Sequence, residues 1–281
     1  MSDSETFEKY FGSRGGDFRS LIESLLRRGK LNPKYYDTIL GDGGLDLYST
    51  AFTHPTIDEE NNYEFYEMMG DATANCCIVW YINRCFPQLH CPGGVKMIAR
   101  LKINLVSKRQ FGDIGIKLGL WPFVSATTDV KDTKMKQTLE DVFEAIIGVT
   151  QTLIDTRIKQ GAGHSICYNM IESIYNEMVQ PISLKYEHLF DAKTRLKETF
   201  DFPDYKQTLT TLKYSCQKNI EERMNYVTIT AVINGRMTTI GNGTGPLKPT
   251  AEQHAAANAL ANLKRHGYNR PVPQAFAKFC N

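Results

Sequence analysis

Five carboxylates stand out in this 281-residue chain because of where they fall. Glu64, Glu67 and Asp71 lie within Tyr-Glu-Phe-Tyr-Glu-Met-Met-Gly-Asp, and Asp141 and Glu144 within Leu-Glu-Asp-Val-Phe-Glu-Ala-Ile-Ile-Gly. Spacings of three and four residues put the first three on one helical face and the last two on another. Their flanks are apolar, and an ionised carboxylate in such surroundings is expensive to desolvate. Packed together, these acids would repel unless something cationic sat between them. A divalent ion of the magnesium type, held by oxygen ligands, is the usual answer. The chemistry indicated is metal-assisted hydrolysis. The plainer alternative, a solvated helix face, fits poorly beside Val142, Phe143, Ala145, Ile146, Ile147 and Val149, which leave almost no polar side. Gly70, next to Asp71, lets another helix or backbone come close.

Helices must carry these acids. Apolar periodicity predicts one over 18–28 ending at Gly29, one over 45–53 stopped by His54-Pro55, and a long one over 63–85 closed by Phe86-Pro87. A single helix is expected over 95–118, with Arg100, Lys102, Lys108 and Arg109 beside apolar positions. A polar loop over 125–134 precedes the second acidic helix, 137–158, and another helix runs over 164–179. No strand is expected before Pro181.

Beyond Pro181 the pattern changes. A short helix over 191–200 precedes three alternating segments, 207–215, 225–233 and 236–240, with Asn234-Gly235 as a hairpin turn. Gly241-Asn-Gly-Thr-Gly245 is expected to turn the chain into an Ala-rich helix over 249–265. The fold expected is a mainly α domain over 1–180, a linker over 181–189, a small α+β domain of order α-β-β-β-α over 190–267, and a tail over 268–281.

Composition narrows the class. With 42% hydrophobic residues and no apolar run of spanning length, no membrane segment is expected. The acidic, polar start is neither a secretory signal nor a basic transit peptide. Seven cysteines form no Cys-x-x-Cys pair, which points to reduced thiols and an intracellular, cytoplasmic setting. The six histidines lack zinc-ligand spacing with them. From Asp191 onward 13 Lys plus Arg stand against 7 Asp plus Glu, a basic third suited to a polyanion.

The motifs together resemble the ribonuclease III family. Tyr63 to Asp71 is similar to its signature helix, usually Asn-Glu-Arg-Leu-Glu-Phe-Leu-Gly-Asp. Thr53-His54-Pro55, Leu105-Val106-Ser107 and Leu139 to Ala145 follow its other motifs in order and spacing. The segment after Asp191 resembles a double-stranded-RNA-binding domain, through Leu196-Lys197-Glu198, the three spaced glycines and Lys248-x-x-Ala251.

The resemblance implies a homodimer, paired through the Glu67 helix, that cuts both strands of duplex RNA and leaves short 3′ overhangs. Glu67, Asp71, Asp141 and Glu144 would be catalytic and hold Mg2+, with Mn2+ as a substitute. Glu64, Arg100, Lys102, Glu198 and Lys248 would contact RNA, the C-terminal domain reading A-form shape and 2′-hydroxyls.

The chain also departs from the family. Tyr63 and Phe65 replace the usual Asn and Arg, and Met68 replaces the Phe that plugs into the partner subunit. The stretch from Gln88 to Lys96 lacks the acidic residue often found there. Pro249 and Thr250 stand where basic residues are usual, and the loop from Cys216 to Met224 lacks a Gly-Pro-x-His contact, so weaker RNA binding is expected.

Two rivals remain on sequence grounds. One is an inactive duplex-RNA scaffold or sequestering protein, which would typically lose the carboxylates kept here. The other is a helical phosphohydrolase, which wants a His-Asp pair that neither His54 nor His90 provides.

Overall fold

The computed structural model describes residues 7–179 and 181–280. The polar opening segment, residues 1–6, lies outside the described residues, as do Gln180 and Asn281. The chain divides into two compact units, Met1–Ile182 and Ser183–Asn281.

The first unit is helical: α1 (Gly16–Arg28), α2 (Tyr36–Leu40), α3 (Gly44–Ala51), α4 (Glu64–Cys85), α5 (Val95–Leu105), α6 (Lys108–Lys117), α7 (Thr128–Thr133), α8 (Met135–Arg157) and α9 (Ala162–Met178). At its centre is α8, buried without a break from Thr138 to Thr150. A helix apolar on nearly every side must be enclosed by others, and α4, α6 and α9 enclose this one. Its last residue, Arg157, donates to the Ile39, Gly41 and Asp42 carbonyls at 3.1, 2.6 and 2.8 Å, tying the end of α8 to the carbonyls at and just after the end of α2. Phe18, Phe52 and Phe123 form a separate aromatic cluster in the same unit.

The first unit departs from the sequence expectation in three places. The helix over 95–118 is two helices, because Ser107 leaves helical geometry and its hydroxyl accepts from the Gln110 N–H at 3.3 Å, capping α6. The polar loop over 125–134 is ordered and partly buried: Ala126–Thr127 forms β2, antiparallel to β1 (Lys9–Tyr10), and α7 follows directly. That pair is also a strand element ahead of Pro181, where none was expected.

The second unit contains α10 (Tyr186–Leu189), α11 (Ala192–Phe200), β3 (Leu209–Asn219), β4 (Met224–Ile233), β5 (Arg236–Gly245), α12 (Lys248–Arg265) and α13 (Gln274–Ala277). The Asp191 carboxylate caps α11 by accepting from the Thr194 N–H at 2.9 Å. The sheet is antiparallel in the order β3-β4-β5, and Asn234 and Gly235 make the hairpin turn with φ of 49° and 79°.

The glycine run is not a turn. Gly241, Gly243 and Gly245 belong to β5; a Cβ on Gly241 or Gly243 would strike the α12 backbone, and one on Gly245 would press against it. Those glycines let the Ala-rich face of α12 (Ala251, Ala255, Ala259) lie directly on the strand. Asn258 and Asn262 donate to the Asn242 and Ile240 carbonyls at 2.6 and 3.2 Å, so side chains of α12 occupy acceptors of β5.

All seven cysteines are free, and among the described residues no helix is long and apolar enough to cross a membrane.

Candidate active site

Where α4 crosses α8, each helix offers a glycine to the other's backbone. A Cβ on Gly70 would fall on the Glu144 carbonyl, and one on Gly148 would fall on the Tyr66 carbonyl. Without those side chains the turn carrying Glu67 and Asp71 is pressed against the turn carrying Asp141 and Glu144. A cavity of about 530 Å³ opens beside the crossing, lined by Glu64, Glu67, Asp71, Glu140 and Glu144, with Lys108 at its edge.

Four of the five expected acids therefore share one cavity. Asp141 sits differently. It is buried beside the cavity instead of lining it, and its Oδ2 accepts a hydrogen bond from the Tyr63 hydroxyl at 3.0 Å. Asp71 is also held: Asn75 Nδ2 donates to its Oδ1 at 2.6 Å, and Lys102 Nζ donates to Asn75 Oδ1 at 2.8 Å. The carboxylates of Glu67 and Glu144 draw no hydrogen bond from the described residues.

Two cavity residues were missing from the sequence expectation for this site. Glu140 is adjacent to Asp141, and adjacent positions do not share a helical face, so spacing alone gave no reason to choose it. It is buried, and its Oε2 lies 3.3 Å from Lys108 Nζ, in ion-pair range but without hydrogen-bond geometry. Lys108, which the sequence offers as a basic helix position able to track an RNA backbone, brings a cation to the rim of an otherwise anionic pocket.

The electrostatics follow from this crowding. Burial, then Asp71, Glu140 and Glu67, push the Glu144 carboxyl up to about 8. Burial, then Asp141 and Glu140, push Glu67 up to about 7, against a smaller downward pull from Lys108. Burial also raises Asp141, opposed by the Tyr63 hydrogen bond and by Lys108. Lys108 is raised in turn, chiefly by Glu140. Against this wall His54 is a structural residue: its Nδ1 accepts from the Thr56 N–H at 3.1 Å, and its ring meets Tyr63 edge-on.

Among the described residues, no three acid, histidine or cysteine groups close into a metal cage. The donor chemistry nevertheless fits a hard divalent cation, because the cavity offers carboxylate oxygens and no imidazole or thiolate ligand. Glu67 and Glu144 carry the charge that burial and mutual repulsion disfavour, and a bound cation would relieve that penalty.

Comparison with known proteins settles the family. A protein of Invertebrate iridescent virus 6, provisionally named ribonuclease 3, is 36% identical over 281 residues, covering 96% of this chain and 95% of that one. The chain belongs to the ribonuclease III family. The family's Ribonuclease III domain model matches residues 64–151, from the first residue of α4 to the body of α8. A second provisional ribonuclease 3, from Frog virus 3 (isolate Goorha), is 35% identical over 84% of this chain, which spans 60% of that protein. The nuclease domain of ribonuclease III from Campylobacter jejuni aligns with a TM-score of 0.42 at 22% identity, covering 57% of this chain and 98% of that domain.

In this ribonuclease III family member the residues expected to contact RNA occupy varied settings. Glu64 is exposed at the start of α4. Arg100 is half-buried on α5, and Lys102 is turned onto Asn75. Glu198, on α11, accepts from the Tyr186 hydroxyl and from Arg270 Nη1, both at 2.6 Å. Lys248 is exposed in the first turn of α12, 4.0 Å from Glu252, whose other oxygen accepts from Lys193 at 2.5 Å.

Proposed function

We propose that this protein is an endoribonuclease that cleaves double-stranded RNA with the help of magnesium. The observation that carries the reading is the glycine-to-glycine crossing of α4 and α8, which gathers acids of two helices around one cavity in a ribonuclease III family member. Glu67, Asp71, Asp141 and Glu144 would hold Mg2+, with Mn2+ able to replace it. The ion, when bound, supplies Lewis-acid activation of water and neutralises charge on the scissile phosphate.

The chain's own residues do the rest. Glu67 and Glu144, which accept no hydrogen bond from the described residues, are the ligands most free to reorient. Asp71 and Asp141 are fixed by donors from the protein. Lys108 and Glu140 set the charge balance at the rim, and Lys108 is placed to attract a phosphate. No Ser, Thr or Cys nucleophile is required.

The α4 helix exposes Phe65 and Met68 at 60% and 67%, together with Trp80, an apolar surface that suits pairing with a second copy. A homodimer through α4 would cut both strands and leave short duplexes with 3′ overhangs. The α-β-β-β-α part of the second unit, over 190–267, would bind duplex RNA by shape through the start of α12 and Lys248. Lys102 and Glu198 would have to exchange their present protein partners for RNA. The free cysteines suit a reducing, intracellular setting.

The test is incubation of long duplex RNA with the purified protein, with and without magnesium. Magnesium-dependent conversion to short duplexes is the expected result. Binding without cutting in any divalent metal would leave an inactive scaffold or sequestering protein.

A further inference from the structure

Tyr63 is the last residue before α4 and is only 4% exposed. Its backbone is tied on both sides: its N–H donates to the Thr53 carbonyl at 3.1 Å, and its carbonyl accepts from the Glu67 N–H at 2.8 Å. Its ring rests edge-on against His54, with centroids 5.7 Å apart. A phenol fixed in this way has little freedom to move its hydroxyl, and that hydroxyl reaches across to α8 to donate to Asp141 Oδ2 at 3.0 Å.

Asp141 therefore has one oxygen committed to the protein, while its Oδ1 accepts nothing from the described residues. The same bond joins the first residue of the α4 acidic segment to the first acid of the α8 pair expected to bind metal. It also connects the backbone amide of Glu67, through Tyr63, to Asp141. Orientation of a carboxylate by a buried donor is the usual way a surrounding residue tunes a ligand.

We propose that Tyr63 is a positioning residue that fixes the Asp141 carboxylate for divalent-metal binding, leaving one oxygen as the ligand. This rests on the metal-site reading above. Tyr63 touches neither metal nor RNA in this role and acts only through Asp141. The hydroxyl, not the ring, is the functional part, because the ring's packing against His54 would persist in phenylalanine.

The test uses the full-length protein and Mn2+ alone as the probe, with binding followed by the loss of the free-ion electron paramagnetic resonance signal. Tyr63→Phe is expected to weaken Mn2+ binding roughly ten- to hundredfold, the usual effect of losing such a supporting contact. Its far-ultraviolet circular dichroism and duplex-RNA affinity should stay unchanged. In an Asp141→Asn background, Tyr63→Phe should have no further effect on Mn2+ binding, because the two residues act as one unit. With duplex RNA, kcat should fall while KM at saturating metal stays within about twofold of wild type.

If Tyr63→Phe misfolds, His54→Ala removes the edge-on ring contact that holds the phenol while keeping its hydroxyl, and it is expected to weaken Mn2+ binding by a smaller factor. Unchanged or tighter Mn2+ binding by a folded Tyr63→Phe variant, or equal weakening in the Asp141→Asn background, would overturn the proposal alone. Failure of the wild-type protein to take up Mn2+ would overturn the metal-site reading and this proposal with it.

Discussion

The molecule brings a helix against a neighbouring backbone twice, each time by removing side chains, and with opposite results. In the first unit Gly70 and Gly148 let α4 and α8 meet, and what the contact gathers is charge: Glu67, Asp71, Glu140 and Glu144 around a cavity, with Asp141 buried behind it. In the second unit Gly241 and Gly243 let α12 lie on β5, and what the contact gathers is alanine, with asparagine side chains closing the strand's carbonyls. The second arrangement closes the acceptors it covers and serves stability. The first leaves Glu67 and Glu144 ionisable, crowded and without a hydrogen-bond donor among the described residues, which a fold built for stability alone would avoid. Close packing by itself says little about function; the unsatisfied charge it encloses says more.

The largest expected effect separates the two crossings directly. Glu144→Gln and Asp71→Asn should each lower kcat for duplex RNA by at least about 10²–10³-fold, the range for removing one charged group that stabilises a transition state. Duplex-RNA affinity, measured by filter binding, should be unaffected, since the proposed function assigns it mainly to the other unit.

Next come the glycines. Gly70→Ala and Gly243→Ala both force a methyl into backbone, and each should cost about 1–3 kcal/mol of stability in its own unit, read by thermal or denaturant unfolding. The first should also reduce cleavage by parting the acids, whereas the second should weaken RNA binding and leave kcat near wild type. Equal effects of the two on kcat would break the contrast.

Gly70 shows how far the sequence can be read. Its position beside Asp71, and the three- and four-residue spacing of the acids, make the α4–α8 site legible from the order of residues alone. Glu140, Lys108 and the Tyr63–Asp141 bond are not legible in that way, because each depends on which helix faces which across the unit. Ser107 falls inside one predicted helix, since a cap can be recognised only once the helix is known to start there. The glycines of β5 suggest a turn because glycine in sequence suggests a bend. Their actual cause, a helix lying on the strand, is a long-range contact with no local signature. Lys102 and Glu198 stand out by charge and position, and their engagement by Asn75 and by Arg270 with Tyr186 is likewise tertiary.

A smaller effect tests the crowding through pH. The carboxyls of Glu67 and Glu144 stand at about 7 and about 8 in the folded protein, above the ordinary 4.5. The native state thus holds protons that the unfolded chain has already released, so stability falls as pH rises through this window. The melting temperature of metal-free protein should drop between about pH 5 and pH 8.5. Glu144→Gln should remove much of that drop, as the charge facing Asp71, Glu140, Glu67 and Asp141 is gone, and Mg2+ should reverse it in the wild-type protein. A rise in stability over the same range would contradict the crowding of these acids.

The smallest effect belongs to the rim. Lys108 is 74% exposed on its side chain, so Lys108→Met should cost no more than about 1 kcal/mol despite leaving Glu140 without its counter-charge. Differential scanning calorimetry resolves a change of that size, and a loss of several kcal/mol would place the Lys108–Glu140 pair at the centre of the unit's stability.

In the proposed function the α4–α8 carboxylates form a metal-dependent cutting site for duplex RNA. The most direct measurement is the single-turnover cleavage rate of an end-labelled duplex against magnesium concentration, for wild-type protein and Glu144→Gln. A carboxylate-held metal predicts a saturable rise for wild type and a flat baseline for the variant at every magnesium concentration, with both proteins binding the duplex equally. Cleavage by wild type that ignores magnesium, or that survives intact in Glu144→Gln, would contradict it.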